Sequence, residues 1–212
     1  MFELYYYPGN ASMAPHMLLE EVGAPFTLHT VDRRSHGQKA PDYLRLNPAG
    51  RISALVHGEL VLFESAAICL HIADLHPESG MVPAVGSSER AHFYKWMMFL
   101  TNTLQPETMA YHYPQEHAVD EAGAAQVKAR AEQRLGDWYA IIEEGLADGR
   151  PYLLGGQCTA VDLFLAMVCR WGRGLTRPPR EMPHLGALLA RVYARPAVQR
   201  AMATEGLEAP IY

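Results

Sequence analysis

The sequence predicts an α+β protein: a small mixed α/β domain of element order β-α-β, β-β-α, followed by an all-helical domain. Three observations predict it. The first eighty residues alternate short aromatic or β-branched runs with two helix-like stretches. Beyond residue 88 no convincing strand is left, and apolar residues recur at helical spacing, as at Trp96, Phe99, Leu100 and Leu104. Between the two regions, GMVPAVGSS (80–88) is rich in Gly, Pro and Ser and reads as an ordered linker. The expected division is therefore 1–79, a linker at 80–88, and 89–212. A chain of 212 residues with 49% hydrophobic content has the material for both cores.

Each element has a local reason. FELYYY (2–7) reads as a strand because of its aromatics, and it stops at Pro8-Gly9. MAPHMLLEEV (13–22) reads as a helix with Pro15 in its first turn and Gly23 as its stop. FTLHTV (26–31) is a second strand, so the strand–helix–strand unit predicts a parallel pair. ISALV (52–56) and LVLF (60–63) flank His57-Gly58-Glu59, a hairpin signal. SAAICLHIADL (65–75) is a helix that ends before Pro77. In the second domain, helices are expected at 89–105, 120–147, 159–172, 184–194 and 196–205, with Arg195-Pro196 separating the last two.

Composition narrows the function classes. Eighteen Lys and Arg against 23 Asp and Glu give a net charge of −5, which argues against a dedicated nucleic-acid binder. No uncharged apolar run approaches the length of a membrane span. MFELYYYPGN has neither a basic nor an apolar leader segment, so no signal peptide is expected. Three cysteines, Cys69, Cys158 and Cys169, lack metal-ligand spacing and read as free thiols in a reducing compartment, the cytoplasm. The ten histidines are scattered, and no metal site is expected.

Three segments carry chemistry. In PGNASMAPH (8–16) a strand ends, the chain turns, and a helix begins near Ser12. Free N–H groups and the helix dipole favour an anion there. A ligand thiol, with an ordinary pKa of about 8.5, ionises more readily at such a helix end beside a hydroxyl. The same residues also read as a plain helix cap, Ser12, and a turn former, Asn10. In LNPAGRISAL (46–55) a turn over Asn47-Pro48-Ala49-Gly50 delivers a strand whose main chain can pair with an extended peptide. In LFESAAICLHIADLHP (62–77) Ser65 and nearby N–H groups suit a carboxylate while Glu64 suits an ammonium, as on an α-amino acid head group. An ordinary capped helix with an acidic first turn fits these residues too. Thr159-Ala160-Val161-Asp162 has the form of a capping box, a structural signal.

The ordered set PGNASMAPHMLLEEVG, NPAGRI-AL, FESAAICLHIADLHP and T-A-V-D-L-F resembles the cytosolic bacterial glutathione S-transferases over essentially the whole chain. The resemblance implies a thioredoxin-like N-terminal domain, an all-helical C-terminal domain contributing the electrophile pocket, and a detoxifying homodimer with glutathione as co-substrate and no metal. By motif it is closest to the beta class, with departures. The cysteine that the beta class carries just before the serine is Ala11 here, so a mixed disulfide with glutathione at that position is ruled out. Ser12 matches the serine, with Asn10 as a second donor to the thiolate and Tyr6 where other classes place a tyrosine. The usual cis proline is replaced by Ser53. Cis bonds before other residues are rare, yet the surrounding register predicts a cis Ile52–Ser53 bond. The resemblance assigns the Ile52 main chain to the cysteinyl backbone, Glu64 and Ser65 to the γ-glutamyl group, and His36 to the glycyl carboxylate where the beta class has lysine. The beta-class asparagine and histidine facing the sulfur become Met98 and Gln105. Tyr111, Tyr113 and Trp171 are expected to line a site for a small apolar electrophile.

Three functions stay open on the sequence: a glutathione transferase of alkyl or aryl groups, a glutathione-dependent peroxidase or disulfide reductase without a protein cysteine, and a non-catalytic binding module that has lost thiol activation. Ala11 and Ser53 motivate the third.

Overall fold

A computed structural model of the chain describes residues 1–208 and 211–212. The chain divides into two compact units, Met1–Val85 with Tyr193–Ile211, and Gly86–Val192 with Tyr212. Sequence patterning drew the second domain as 89–212, but its last helix falls in the first unit.

The first unit is built on a four-stranded mixed sheet of order β2-β1-β3-β4, with β1 at Phe2–Tyr6, β2 at Phe26–Thr30, β3 at Ala54–His57 and β4 at Leu60–Phe63. β1 pairs parallel with β2 and antiparallel with β3, and β3 pairs antiparallel with β4. Helix α1 spans Met13–Val22 and ends at Gly23, whose φ of 65° is the left-handed stop a glycine supplies. A short helix α2 covers Pro41–Leu44, and α3 covers Ser65–Leu75. Strand alternation places Phe2, Leu4 and Tyr6 on one face of β1 and Glu3 and Tyr5 on the other. The Tyr6 ring meets His16 of α1, and Phe2 meets His71 of α3. Tyr5 and Tyr7 pack with Val31, Tyr43, Leu46, Ile52 and Ala54 instead. The two sides of the sheet thus have different partners, which locks its register.

The second unit is helical. Helix α4 (Ser88–Phe99) runs through a π-type turn (Leu100–Leu104) into α5 (Gln105–His112). The predicted helix 89–105 therefore continues to 112 with an interruption. Its cause is Pro106, which cannot donate a backbone bond. One residue earlier Gln105 N–H reaches back five residues to Leu100 O, which absorbs the shift. Helix α6 spans Glu121–Gly145, α7 Ala160–Trp171 and α8 Pro183–Tyr193. Helix α9, Pro196–Thr204, packs on α1 in the first unit, where Arg195 pairs with Glu21 and Arg200 with Glu20. No described helix is long and apolar enough to cross a membrane.

The capping box is present. Asp162 accepts from the Thr159 N–H at 2.8 Å, the Thr159 hydroxyl at 3.0 Å and the Leu153 N–H at 2.9 Å. Burial pushes its carboxyl up to about 6 against these three donors.

Candidate active site

Sheet register explains why three distant segments meet. Tyr5 lies opposite Ala54, and Ala54 lies opposite Phe63. The loop leaving β1, the turn entering β3 and the start of α3 therefore all emerge at the same end of the sheet.

The first segment is the turn 7–12. Asn10 N–H donates to Tyr7 O at 3.1 Å and Met13 N–H to Asn10 O at 3.0 Å. Asn10 Oδ1 accepts from Ala11 N–H at 2.8 Å, which leaves the Nδ2 protons for a ligand. Asn10 is half-buried, whereas Ser12 is wholly buried. Ser12 occupies the N-cap position of α1 but makes no capping bond. Its hydroxyl instead donates to Tyr7 O, and Ser12 Oγ accepts from Tyr7 N–H, both at 3.3 Å. These are long for their kind, so the hydroxyl is only weakly held.

The second segment is the turn 47–53. Asn47 holds it from inside: its Nδ2 donates to Arg51 O at 2.8 Å and to Ser53 O at 3.3 Å, and its Oδ1 accepts from Ala49 N–H. Tyr43 Oη also donates to Arg51 O, at 2.7 Å. The Ile52–Ser53 peptide is cis, as the register around it predicts. Strand β3 starts at Ala54, two residues later than periodicity suggests.

The third segment is the start of α3. Ser65 and Ser53, both buried, bring their hydroxyls within 3.3 Å of each other. Glu64 is exposed and has φ 72°, a region that costs a non-glycine residue about 1–3 kcal/mol. Backbone strain at an exposed acidic residue beside two buried hydroxyls is the pattern of a ligand clamp.

Other expected site residues lie elsewhere. His36 is exposed in a left-handed conformation after β2, its N–H bonded to Arg33 O. Lys39, three residues on, reaches Ala49 O with its Nζ at 3.4 Å, beside the turn that holds Ile52. The resemblance points to His36, and Lys39 lies on the short 3-10 turn that follows it. In the second unit, the Tyr111 hydroxyl donates toward Gly174 O at 3.4 Å, and His112 Nε2 lies 2.9 Å from Trp171 O. The end of α5, with Tyr111 and Tyr113, is thereby tied to the end of α7, with Trp171. Gln105 opens α5 and Met98 is an exposed residue of α4. Cys69, Cys158 and Cys169 are buried and outside any disulfide among the described residues, and burial pushes the thiols of Cys69 and Cys169 far above their ordinary values. No cluster able to hold a metal occurs among the described residues.

The chain matches the family described as Glutathione S-transferase, N-terminal domain, over residues 1–74, and Glutathione S-transferase, C-terminal domain, over residues 104–196. Glutathione S-transferase GST-4.5 of Xanthomonas campestris pv. campestris is 32% identical, with 97% of this chain and 99% of that relative covered. This chain belongs to the glutathione S-transferase family. Among solved structures, a glutathione S-transferase from Xylella fastidiosa superposes with a TM-score of 0.89 at 32% identity, covering 98% of this transferase and 100% of that chain. A sphingomonad glutathione S-transferase complexed with glutathione gives 0.84 at 31% identity, over 97% and 100%. The thioredoxin-like unit and the helical unit expected from the sequence are both those of this transferase family.

Proposed function

We propose that this transferase binds glutathione at the end of its sheet, ionises the thiol, and directs the thiolate at a small apolar electrophile. The observation that carries the reading is the registered meeting of turn 7–12, the cis turn at Ile52–Ser53 and the start of α3. Each offers the group its part of the tripeptide needs. The Ile52 main chain pairs with the cysteinyl backbone by strand addition. Glu64 takes the γ-glutamyl ammonium, while Ser65, with Ser53 beside it, takes the carboxylate at the N-terminus of α3. His36 is offered to the glycyl carboxylate. Asn10 Nδ2 and the Ser12 hydroxyl, released from its long bond to Tyr7, donate to the thiolate. Stabilising the charged form lowers the thiol pKa, and holding thiolate and electrophile together removes the entropic cost of encounter. Tyr111, Tyr113, Trp171 and Gln105 of the helical unit hold the electrophile.

The motifs support a beta-like transferase that works in the cytoplasm without the beta-class cysteine. Ala11 carries no thiol and the three cysteines are buried, so the reacting sulfur belongs to the ligand. That argues against redox chemistry through a protein thiol.

Ultraviolet titration of the thiolate of bound glutathione tests the reading. The unmodified protein should ionise it well below the ordinary range near pH 8.5. Asn10→Ala and Ser12→Ala should each raise the midpoint by about one pH unit, as expected for removal of one hydrogen bond to a charged group. An unmodified protein that leaves bound glutathione protonated at pH 8, or fails to bind it at millimolar concentration, overturns the function.

A further inference from the structure

We propose that Glu205 is a positioning residue for the thiol-binding turn: its buried carboxylate holds the Gly9 N–H and so sets the turn that presents Asn10 and Ser12. The proposal rests on the thiolate-stabilising function argued above.

Glu205 follows α9 directly, and its side chain is wholly buried. A carboxylate removed from water is costly unless its oxygens are paired. One oxygen accepts from Gly9 N–H at 2.7 Å, and the other lies 2.8 Å from His16 Nδ1. Both partners belong to the segment that delivers the thiol donors. Gly9 sits at the bend where β1 leaves the sheet, with φ 68°, so its N–H direction decides where Asn10 emerges. His16 lies one turn into α1, its ring meeting the edges of Tyr6 and Phe26, and its buried Nε2 has no partner. The imidazole's hydrogen bonding is therefore committed to Glu205 alone.

The turn's own bonds centre on Asn10, which donates to Tyr7 O at 3.1 Å and accepts from Met13 N–H at 3.0 Å, and they hold Ser12 less firmly. Ser12 makes no capping bond, and its two contacts with Tyr7 are 3.3 Å long. Against these, the carboxylate–amide bond at 2.7 Å is short and charge-assisted, the stronger class of hydrogen bond. The C-terminal segment thus fixes, from 196 residues away in sequence, the backbone on which thiol activation depends. Glu205 touches no reacting atom and acts only through Gly9 and His16.

Three variants test this with bound glutathione. Glu205→Leu removes the acceptor and should raise the thiolate midpoint by about one pH unit, lowering kcat/KM about tenfold. KM for glutathione should change less than about twofold, because Ile52, Glu64 and Ser65 are untouched. Glu205→Gln keeps an oxygen for Gly9 N–H and should hold the wild-type midpoint to within about half a unit. If the leucine variant does not fold, Glu205→Asp takes its place: the shorter side chain withdraws the oxygen, and the same rise is expected. An unchanged midpoint in the leucine or aspartate variant overturns the positioning role, as does a glutamine variant that shifts as far as leucine. A wild-type protein that does not ionise bound glutathione overturns the function itself, and this role with it.

Discussion

At the residue scale the proposed site divides between groups that hold the backbone and groups left open to solvent. Asn47 and Tyr43 bond main-chain atoms of the turns, and Glu205 divides its oxygens between the Gly9 N–H and the His16 ring. Glu64 and Asn10 remain exposed or half-exposed. Glu64 makes the distinction measurable. Its φ of 72° suits glycine better than glutamate. Glu64→Gly and Glu64→Ala should both weaken glutathione binding about tenfold, the worth of one charge-assisted contact. Only the glycine variant relieves the backbone. Calorimetry of unfolding should therefore find it melting at or above the wild type, with the alanine variant no more stable than wild type. Equal melting of the two variants would remove strain from the account. The residues proposed to face the ligand can be picked out in the sequence, because Asn10, Glu64 and Ser65 sit beside turn and helix-start signals. Glu205 cannot: its partners lie 189 and 196 residues away, and no local spacing encodes such a pair.

At the element scale, legibility followed punctuation. Helices α1 and α3 are bounded by Gly23 and Pro77 and appear at the residues the sequence indicates. The α4–α5 boundary was hidden because apolar spacing continues through Leu100 and Leu104 while Pro106 forces a π-type turn. The start of β3 was displaced because Ile52 and Ser53 look like strand residues yet form the cis turn. Helix α7 owes its start to Asp162. Asp162→Ala should leave three buried donors unpaired and cost about 2–4 kcal/mol at neutral pH, measured by urea unfolding. The carboxyl also has a pH signature. Its folded value of about 6 lies above the ordinary 3.8, so the folded state binds the proton more tightly. The stability Asp162 contributes is full below about pH 3.8 and is lost as pH rises through about 6. Relative to Asp162→Asn, which cannot titrate, the wild type should gain on the order of 2 kcal/mol between pH 7.5 and pH 4.5. A pH-independent gap would show that the folded carboxyl titrates as it does in the unfolded chain.

At the scale of the whole molecule the question is what covers the apolar residues left outside. Leu60, Val61 and Phe63 of β4 are each about 40% exposed, on a strand at the edge of the sheet with one pairing partner. In the helical unit Tyr94 and Met98 of α4 are exposed to a similar degree. A monomer would keep a hydrophobic sheet edge in water, a known route to unwanted pairing. A homodimer, as the resemblance implies, would give these side chains a partner. An isologous interface places the same patch from each copy together, so one apolar substitution is felt twice. Sedimentation at micromolar concentration should therefore find the protein at twice its 23.6 kDa. Replacing Phe63 by Glu should shift it to the monomer, since two buried, unpaired carboxylates would face one another across the interface. Phe63 is an exposed side chain within its own subunit, so the variant should keep the circular dichroism of the folded chain. A wild type that sediments at 23.6 kDa, or a Phe63→Glu variant that stays dimeric, would mean that β4 is not the surface on which two copies meet.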